Sequence, residues 1–183
     1  GTHHETCDLM QRLIPKLICP AIVDADALNA FEGASELLEQ RDGAAELFLS
    51  PHPGEYTRVT GAEVSENIAD KIDGLLQTAR DFSAVVVLKG SPTLVADSQG
   101  ACYLNPTGNS GMATGGSGDV LSGIIGSFLA QGLSPLDASL CGVYLHGRAG
   151  DLAAEHLTQR AMIAGDIVTY LPEAFEEIEE LSE

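Results

Sequence analysis

The chain has 183 residues, enough for one domain with a sizeable core, and 44% are hydrophobic without an apolar run of membrane-spanning length, which points to a soluble globular protein. Nine basic residues against 27 acidic ones give a net charge of −18, which opposes any broad grip on nucleic acid or anionic lipid. An anionic ligand therefore has to be held by local donors, and the six glutamates between Glu173 and Glu183 read as a solvated terminal helix face.

In chain order, residues 6–17 read as a helix with Leu9, Met10, Leu13, Ile14 and Leu17 on one face, ended by Pro20. Apolar runs at 21–24, 47–49 and 84–88 read as buried strands alternating with helical patterns, the signature of a parallel α/β sheet. Residues 93–96 and 101–104 flank the turn-forming Asp97-Ser98-Gln99-Gly100 and read as a β-hairpin. The remainder is helical. Ser134 and Pro135 open one helix as cap and first residue, and the last begins near Ala164 or Gly165. Without repeats or long linkers, residues 1–183 read as a single domain.

The four cysteines, Cys7, Cys19, Cys102 and Cys141, lack metal-like or disulfide spacing and lie in apolar segments where free cysteine packs, which suits a reducing cytoplasm. No secretory signal precedes the domain, and the chain opens at Gly1 without an initiator methionine, which leaves room for a preceding segment. His3 and His4, with no further ligands beside them, make a poor metal site.

Ligands of open α/β sheets bind beyond the carboxyl ends of the strands, so the residues after each strand are expected on one ligand-binding rim. After the first run stand Asp24, Asp26 and Asn29, where the two aspartates suit either a water-bridged magnesium ion or simple turn and cap roles. After the second comes Ser50-Pro51-His52-Pro53-Gly54-Glu55, in which His52 between prolines fits a positioned ligand contact or a rigid turn. After the third comes Lys89-Gly90-Ser91-Pro92-Thr93. Lys89 is either a phosphate-reaching cation or a solvated strand-end lysine, and Gly90 admits close backbone approach.

The richest segment is residues 108–119, with five glycines in twelve positions running into Val120, Leu121, Ile124, Ile125, Phe128 and Leu129 at helical spacing. Residues 116–119 then sit at a helix N-terminus, whose free amides and positive dipole end suit a phosphate. Asp119 in that first turn fits two roles, acceptor of a proton from a hydroxyl being phosphorylated, or helix cap. No Gly-Lys-Ser/Thr follows, and the third glycine of a dinucleotide fingerprint would fall at Leu121, so neither familiar nucleotide motif is present.

Taken together, these segments resemble the ADP/ATP-dependent NAD(P)H-hydrate dehydratases of the ribokinase-like superfamily. The resemblance is carried by residues 24–29, by Ser50-Pro51-His52-Pro53-Gly54-Glu55, by Lys89-Gly90 with Thr93, by 108–121 and by Leu145-His146-Gly147 with Ala149-Gly150-Asp151. It implies a three-layer α/β/α domain with a mostly parallel sheet and a β-hairpin. It implies repair of hydrated NADH or NADPH, with the hydroxyl at ring carbon 6 phosphorylated by ADP or ATP before phosphate leaves and the double bond returns. Asp119 would take the hydroxyl proton, the amides of Gly116, Ser117 and Gly118 would form an anion hole, and Mg2+ would bridge the nucleotide phosphates. His52, Asn109 and Asp119 are the implied contacts of the hydrate; Lys89, Gly90, Ser91, Pro92, Thr93 and Gly118 are those of the adenine nucleotide. His-Pro-Gly-Glu is similar to the bacterial form, which favours ADP as donor. Family members carry about another half-domain before the first helix, so a complementary N-terminal segment and a homo-oligomer are expected, with no nucleic-acid or membrane partner. A small-molecule kinase for hydroxymethylpyrimidine or hydroxyethylthiazole, and a non-catalytic nucleotide-binding protein, are the alternatives.

Overall fold

Short runs rich in valine, leucine and isoleucine become strands here because such side chains fill a pleated surface buried on both faces. In the computed structural model, which describes residues 3–39 and 45–180, Ala21–Val23 (β1), Leu47–Leu49 (β2), Ala84–Leu88 (β3), Leu94–Ala96 (β4) and Cys102–Leu104 (β5) form one mixed sheet in the order β1-β2-β3-β4-β5. Strands β1, β2 and β3 are parallel, with Ala21 opposite Leu47 and Leu47 opposite Ala84, whereas β3-β4-β5 is an antiparallel meander. Every residue of β2 and β3 is buried, while the edge strand β5 leaves Tyr103 and Leu104 exposed.

The chain divides into two compact units, Gly1–Leu104 and Asn105–Glu183. The first holds the sheet with α1 (His4–Leu13), α2 (Asp26–Asn29), α3 (Glu36–Glu39), α4 (Pro53–Thr60) and α5 (Ile68–Asp81). Its core joins Val23, Leu28, Phe31, Leu47, Leu49, Leu75, Val86 and Leu94. Tyr56 ties α4 to α5, its hydroxyl donating to the Gly74 carbonyl at 3.2 Å and lying 2.7 Å from Thr78 Oγ1.

The helix expected over 6–17 runs instead from His4 to Leu13 and tightens into a 3-10 turn over Ile14–Lys16. Pro15, lacking an N–H, cannot extend the α-helical ladder. Ile14 is buried, while Leu9 and Leu13, one α-helical turn apart on the same flank, are exposed. The first strand ends at Val23, and the hairpin strands are each one residue shorter than expected.

The second unit consists of a 3-10 turn over Ser110–Met112 and three helices, α6 (Ser117–Ala130), α7 (Pro135–Leu157) and α8 (Ala164–Glu180). As expected, Pro135 is the first residue of α7, and the Ser134 hydroxyl oxygen accepts from the Asp137 amide at 3.1 Å. Leu145, Ala149, Leu152, Met162 and Ile167 form its core. A Cβ at Gly142 would overlap the Ile125 side chain, so the bare backbone there lets α7 approach α6.

Two expectations need correction. Glu177 does not merely face solvent. It binds Arg148 through two contacts of 2.6 Å, joining α8 to α7, and these bonds hold its carboxyl below the usual range. The cysteines are free, but none is buried: Cys19 follows the 3-10 turn in an exposed connection, Cys141 is exposed on α7, and Cys7 and Cys102 are half-buried. Among the described residues no helix is long and apolar enough to cross a membrane.

Candidate active site

In the first unit, the carboxyl ends of the parallel strands deliver Asp24, His52 and Lys89 to one charged network. Helix α4 begins straight after β2, with His52 as its N-cap. The imidazole Nδ1 accepts from the amides of Gly54 (3.0 Å) and Glu55 (3.3 Å), and the Glu55 carboxylate accepts from the His52 amide at 2.8 Å. This is a reciprocal capping box with histidine in the serine position. A nitrogen that accepts carries no hydrogen, so the neutral ring of His52 keeps its hydrogen on Nε2, 3.4 Å from Glu55 Oε1.

Glu55 is only 5% exposed. Its second neighbour is the Lys89 ammonium, 3.5 Å from Oε2, and Lys89 also donates to Asp24 Oδ1 at 2.7 Å. The Lys89 amide donates to the Pro51 carbonyl at 2.8 Å, which fixes the lysine beside the start of α4. Asp24 accepts in addition from the amide of Ala25, whose φ of 50° is strained for a residue with a Cβ. Asp24 is therefore a counter-ion of Lys89, and Lys89 is clasped between two carboxylates. Beyond it, Gly90, Ser91 and Pro92 are exposed, in a turn closed by Thr93, whose hydroxyl donates to the Gly90 carbonyl at 3.0 Å. Asn29 accepts from Arg58 at 3.0 Å.

In the second unit the glycine-rich loop enters α6 as its spacing predicts. Gly116 is the N-cap with φ of +91°, a left-handed conformation that costs glycine nothing, and no side chain caps the helix there. The Ser117 amide reaches the Thr114 carbonyl at 3.3 Å, so of the amides in this first turn those of Gly118 and Asp119 meet no side-chain acceptor. Asp119 is exposed in the first turn and is not the cap, which removes one of its two expected roles.

Asn109 shapes the loop. Its Nδ2 donates to the Gly150 carbonyl and to Asp151 Oδ1, both at 2.9 Å, and its Oδ1 accepts from the Gly111 amide at 2.9 Å. Asp151 accepts also from the Gly108 amide at 2.9 Å, so the loop is pinned to α7. His146, one turn earlier on α7, places Nε2 3.0 Å from the Ser117 carbonyl and 3.3 Å from its hydroxyl. Burial pushes this imidazole down to about 4, against the pull of the Ser117 main chain.

Three residues that stand in segments carrying the resemblance were given no role from the sequence: Glu55 as the hub of the first network, Asp151 as the anchor of the loop, and His146 against Ser117. Only Glu55 had a local signal, its place three residues after the cap. Among the described residues no three His, Cys, Asp or Glu side chains cluster as metal ligands.

Comparison with known proteins identifies the family. Residues 2–173 match the Carb_kinase family, described as NAD(P)H-hydrate dehydratase. The chain is 47% identical over 175 residues to the bifunctional NAD(P)H-hydrate repair enzyme Nnr of Moorella thermoacetica, covering 96% of this chain and 33% of that protein. It is 44% identical over 149 residues to the ADP-dependent (S)-NAD(P)H-hydrate dehydratase of Neisseria meningitidis, covering 81% of this chain and 50% of that one. The crystal structure of the ADP/ATP-dependent NAD(P)H-hydrate dehydratase of Bacillus subtilis, co-crystallised with ATP/Mg2+ and soaked with CoA, superposes with a TM-score of 0.79 at 34% identity over 90% of this chain and 58% of that one. A ribokinase-like superfamily protein of Enterococcus faecalis gives a TM-score of 0.73 at 25% identity, covering 97% of this chain and 60% of that one. The chain thus spans between a third and about three-fifths of the length of these relatives. With its mixed sheet, its glycine-rich entry to α6 and a match over residues 2–173, this chain belongs to the NAD(P)H-hydrate dehydratase family, on a ribokinase-like fold.

Proposed function

We propose that the protein carrying this chain removes water from hydrated NADH or NADPH at the expense of ADP or ATP, with residues 1–183 forming part of one ribokinase-like domain. The observation that carries the reading is the uncapped N-terminus of α6 with the exposed carboxylate of Asp119 in its first turn. Amides there suit a transferring phosphoryl group, and a carboxylate beside them is tolerable where a hydroxyl proton has to be accepted. The Asp119 carboxylate takes the proton as the hydroxyl oxygen bonds to phosphorus and the nucleotide departs with one phosphate fewer. The C–O bond then breaks with loss of a ring proton from the neighbouring carbon, the phosphate leaves with the electron pair, and the ring double bond returns. Phosphorylation is needed because hydroxide is a poor leaving group.

The exposed turn of Gly90, Ser91 and Pro92 suits the adenine nucleotide, and His52 suits the hydrate as a donor through its Nε2 hydrogen. A magnesium ion fits as one borne by the nucleotide, with phosphate oxygens and water as most of its ligands and charge neutralisation as its contribution. The free thiols suit a reducing cytoplasm.

The test is to incubate the full-length protein with hydrated NADH, ADP and magnesium, following dihydronicotinamide absorbance and inorganic phosphate together. Both should rise in equal amounts, and Asp119→Asn should lower the rate by about 100-fold or more. A stable phosphate ester without phosphate release would instead identify a small-molecule kinase. Nucleotide binding without any turnover would identify a binding protein.

A further inference from the structure

Ser117 is the first residue of α6, is 8% exposed, and has both of its oxygens close to one ring nitrogen of His146. The two contacts are not equivalent. A carbonyl oxygen only accepts, so the 3.0 Å approach of Nε2 to the Ser117 carbonyl requires the imidazole hydrogen on Nε2. A nitrogen that carries this hydrogen has no lone pair left for the hydroxyl at 3.3 Å. The hydroxyl hydrogen of Ser117 is consequently left to point elsewhere, at the start of a helix whose first amides lack a capping side chain. His146 reaches this position from α7 one turn after Gly142, where the absent Cβ admits Ile125 of α6.

We propose that His146 is a positioning residue for the anion cradle: its Nε2 hydrogen, given to the Ser117 carbonyl, fixes the first turn of α6 and frees the Ser117 hydroxyl to donate to a phosphoryl oxygen. This deepens the proposed function and rests on it for the identity of the ligand. It adds a side-chain donor to a site otherwise furnished by main-chain amides. It also gives the ring a definite part, since a charged His146 is not required and the neutral tautomer suffices.

Two kinds of measurement separate this inference from the dehydratase reading. Long-range 1H–15N correlation on the full-length protein should find His146 neutral near pH 7 with its hydrogen on Nε2; the Nδ1–H tautomer would overturn the inference. Calorimetry with ADP and magnesium should find weaker binding in Ser117→Ala and His146→Leu than in the wild type, and wild-type binding in both folded variants would overturn it, whether or not any hydrate is turned over. In the turnover assay His146→Leu should lose on the order of 100-fold in kcat, the usual loss for one oxyanion donor. KM for the hydrate should stay within about twofold, because only interactions made to the transferring group are affected. His146→Gln, whose amide reaches the same place with an N–H, should recover most of the rate. The double variant His146→Leu with Ser117→Ala should be no slower than Ser117→Ala alone. If His146→Leu fails to fold, the glutamine variant decides: Ser117→Ala slow and His146→Gln near wild type supports the role, and His146→Gln as slow as Ser117→Ala refutes it.

Discussion

Lys89 Nζ lies 2.7 Å from Asp24 Oδ1, a contact made across 65 positions of sequence between the ends of β1 and β3. The same ammonium stands 3.5 Å from the buried Glu55 carboxylate. Removing one member of a desolvated charge group strands the others. Lys89→Met is therefore expected to destabilise the protein by about 3 kcal/mol in urea unfolding. Adding Asp24→Asn should return part of that loss. A Lys89→Met protein with an unchanged urea midpoint and a raised KM for ADP would assign the lysine to the nucleotide phosphates instead.

His52 has two separable duties. Its Nδ1 caps α4, so His52→Ala should cost about 1 kcal/mol of stability, as loss of a side-chain cap does, while His52→Asn, a good cap, should cost little. Neither variant retains the Nε2 hydrogen. If that hydrogen meets the hydrate, KM for the hydrate rises in both variants and does not follow the melting temperature.

Protonation of His146 links stability to pH. Its folded-state value near 4 lies below the ordinary 6.5, so on acidification the unfolded chain takes up a proton first. The stability contributed by the neutral ring is complete above about pH 6.5 and declines as pH falls toward 4, by at most about 1.4 kcal/mol per pH unit for one proton. In His146→Gln, urea midpoints measured between pH 7 and 4 should fall less steeply than in the wild type.

Two glycines in the helical unit should respond oppositely to alanine. At Gly142 a methyl group would overlap Ile125, and Gly142→Ala should cost about 1–3 kcal/mol by overpacking. At Gly123 nothing lies within 4 Å of the added carbon, so Gly123→Ala should gain up to about 1 kcal/mol from helix propensity. Thermal unfolding of the two variants should move in opposite directions.

Strands, hairpin and helix starts were legible in the sequence because each depends on neighbours within a few residues: the all-apolar run at Ala84–Leu88, the Asp97 turn, Ser134 before Pro135. The glycine-rich entry to α6 was legible for the same reason. What escaped is pairing between distant positions. Lys89 next to Asp24, Asn109 next to Asp151 and His146 next to Ser117 are products of strand order and helix packing, which leave no periodic trace. The first helix failed differently. Its apolar spacing was real, but the α-helix ends at Leu13 ahead of Pro15, and of the five residues on the expected face only Ile14 is buried while Leu9 and Leu13 are exposed.

Glu55 accepts from the backbone that begins α4, neighbours the ring of the capping histidine and lies beside the Lys89 cation. A replacement there is felt at three places at once, none of which requires a substrate. His-Pro-Gly-Glu is thus a piece of architecture as much as of chemistry, and a descendant that had lost turnover would still be under pressure to keep it. Its presence in a relative testifies to a correctly built first unit and carries no testimony about turnover.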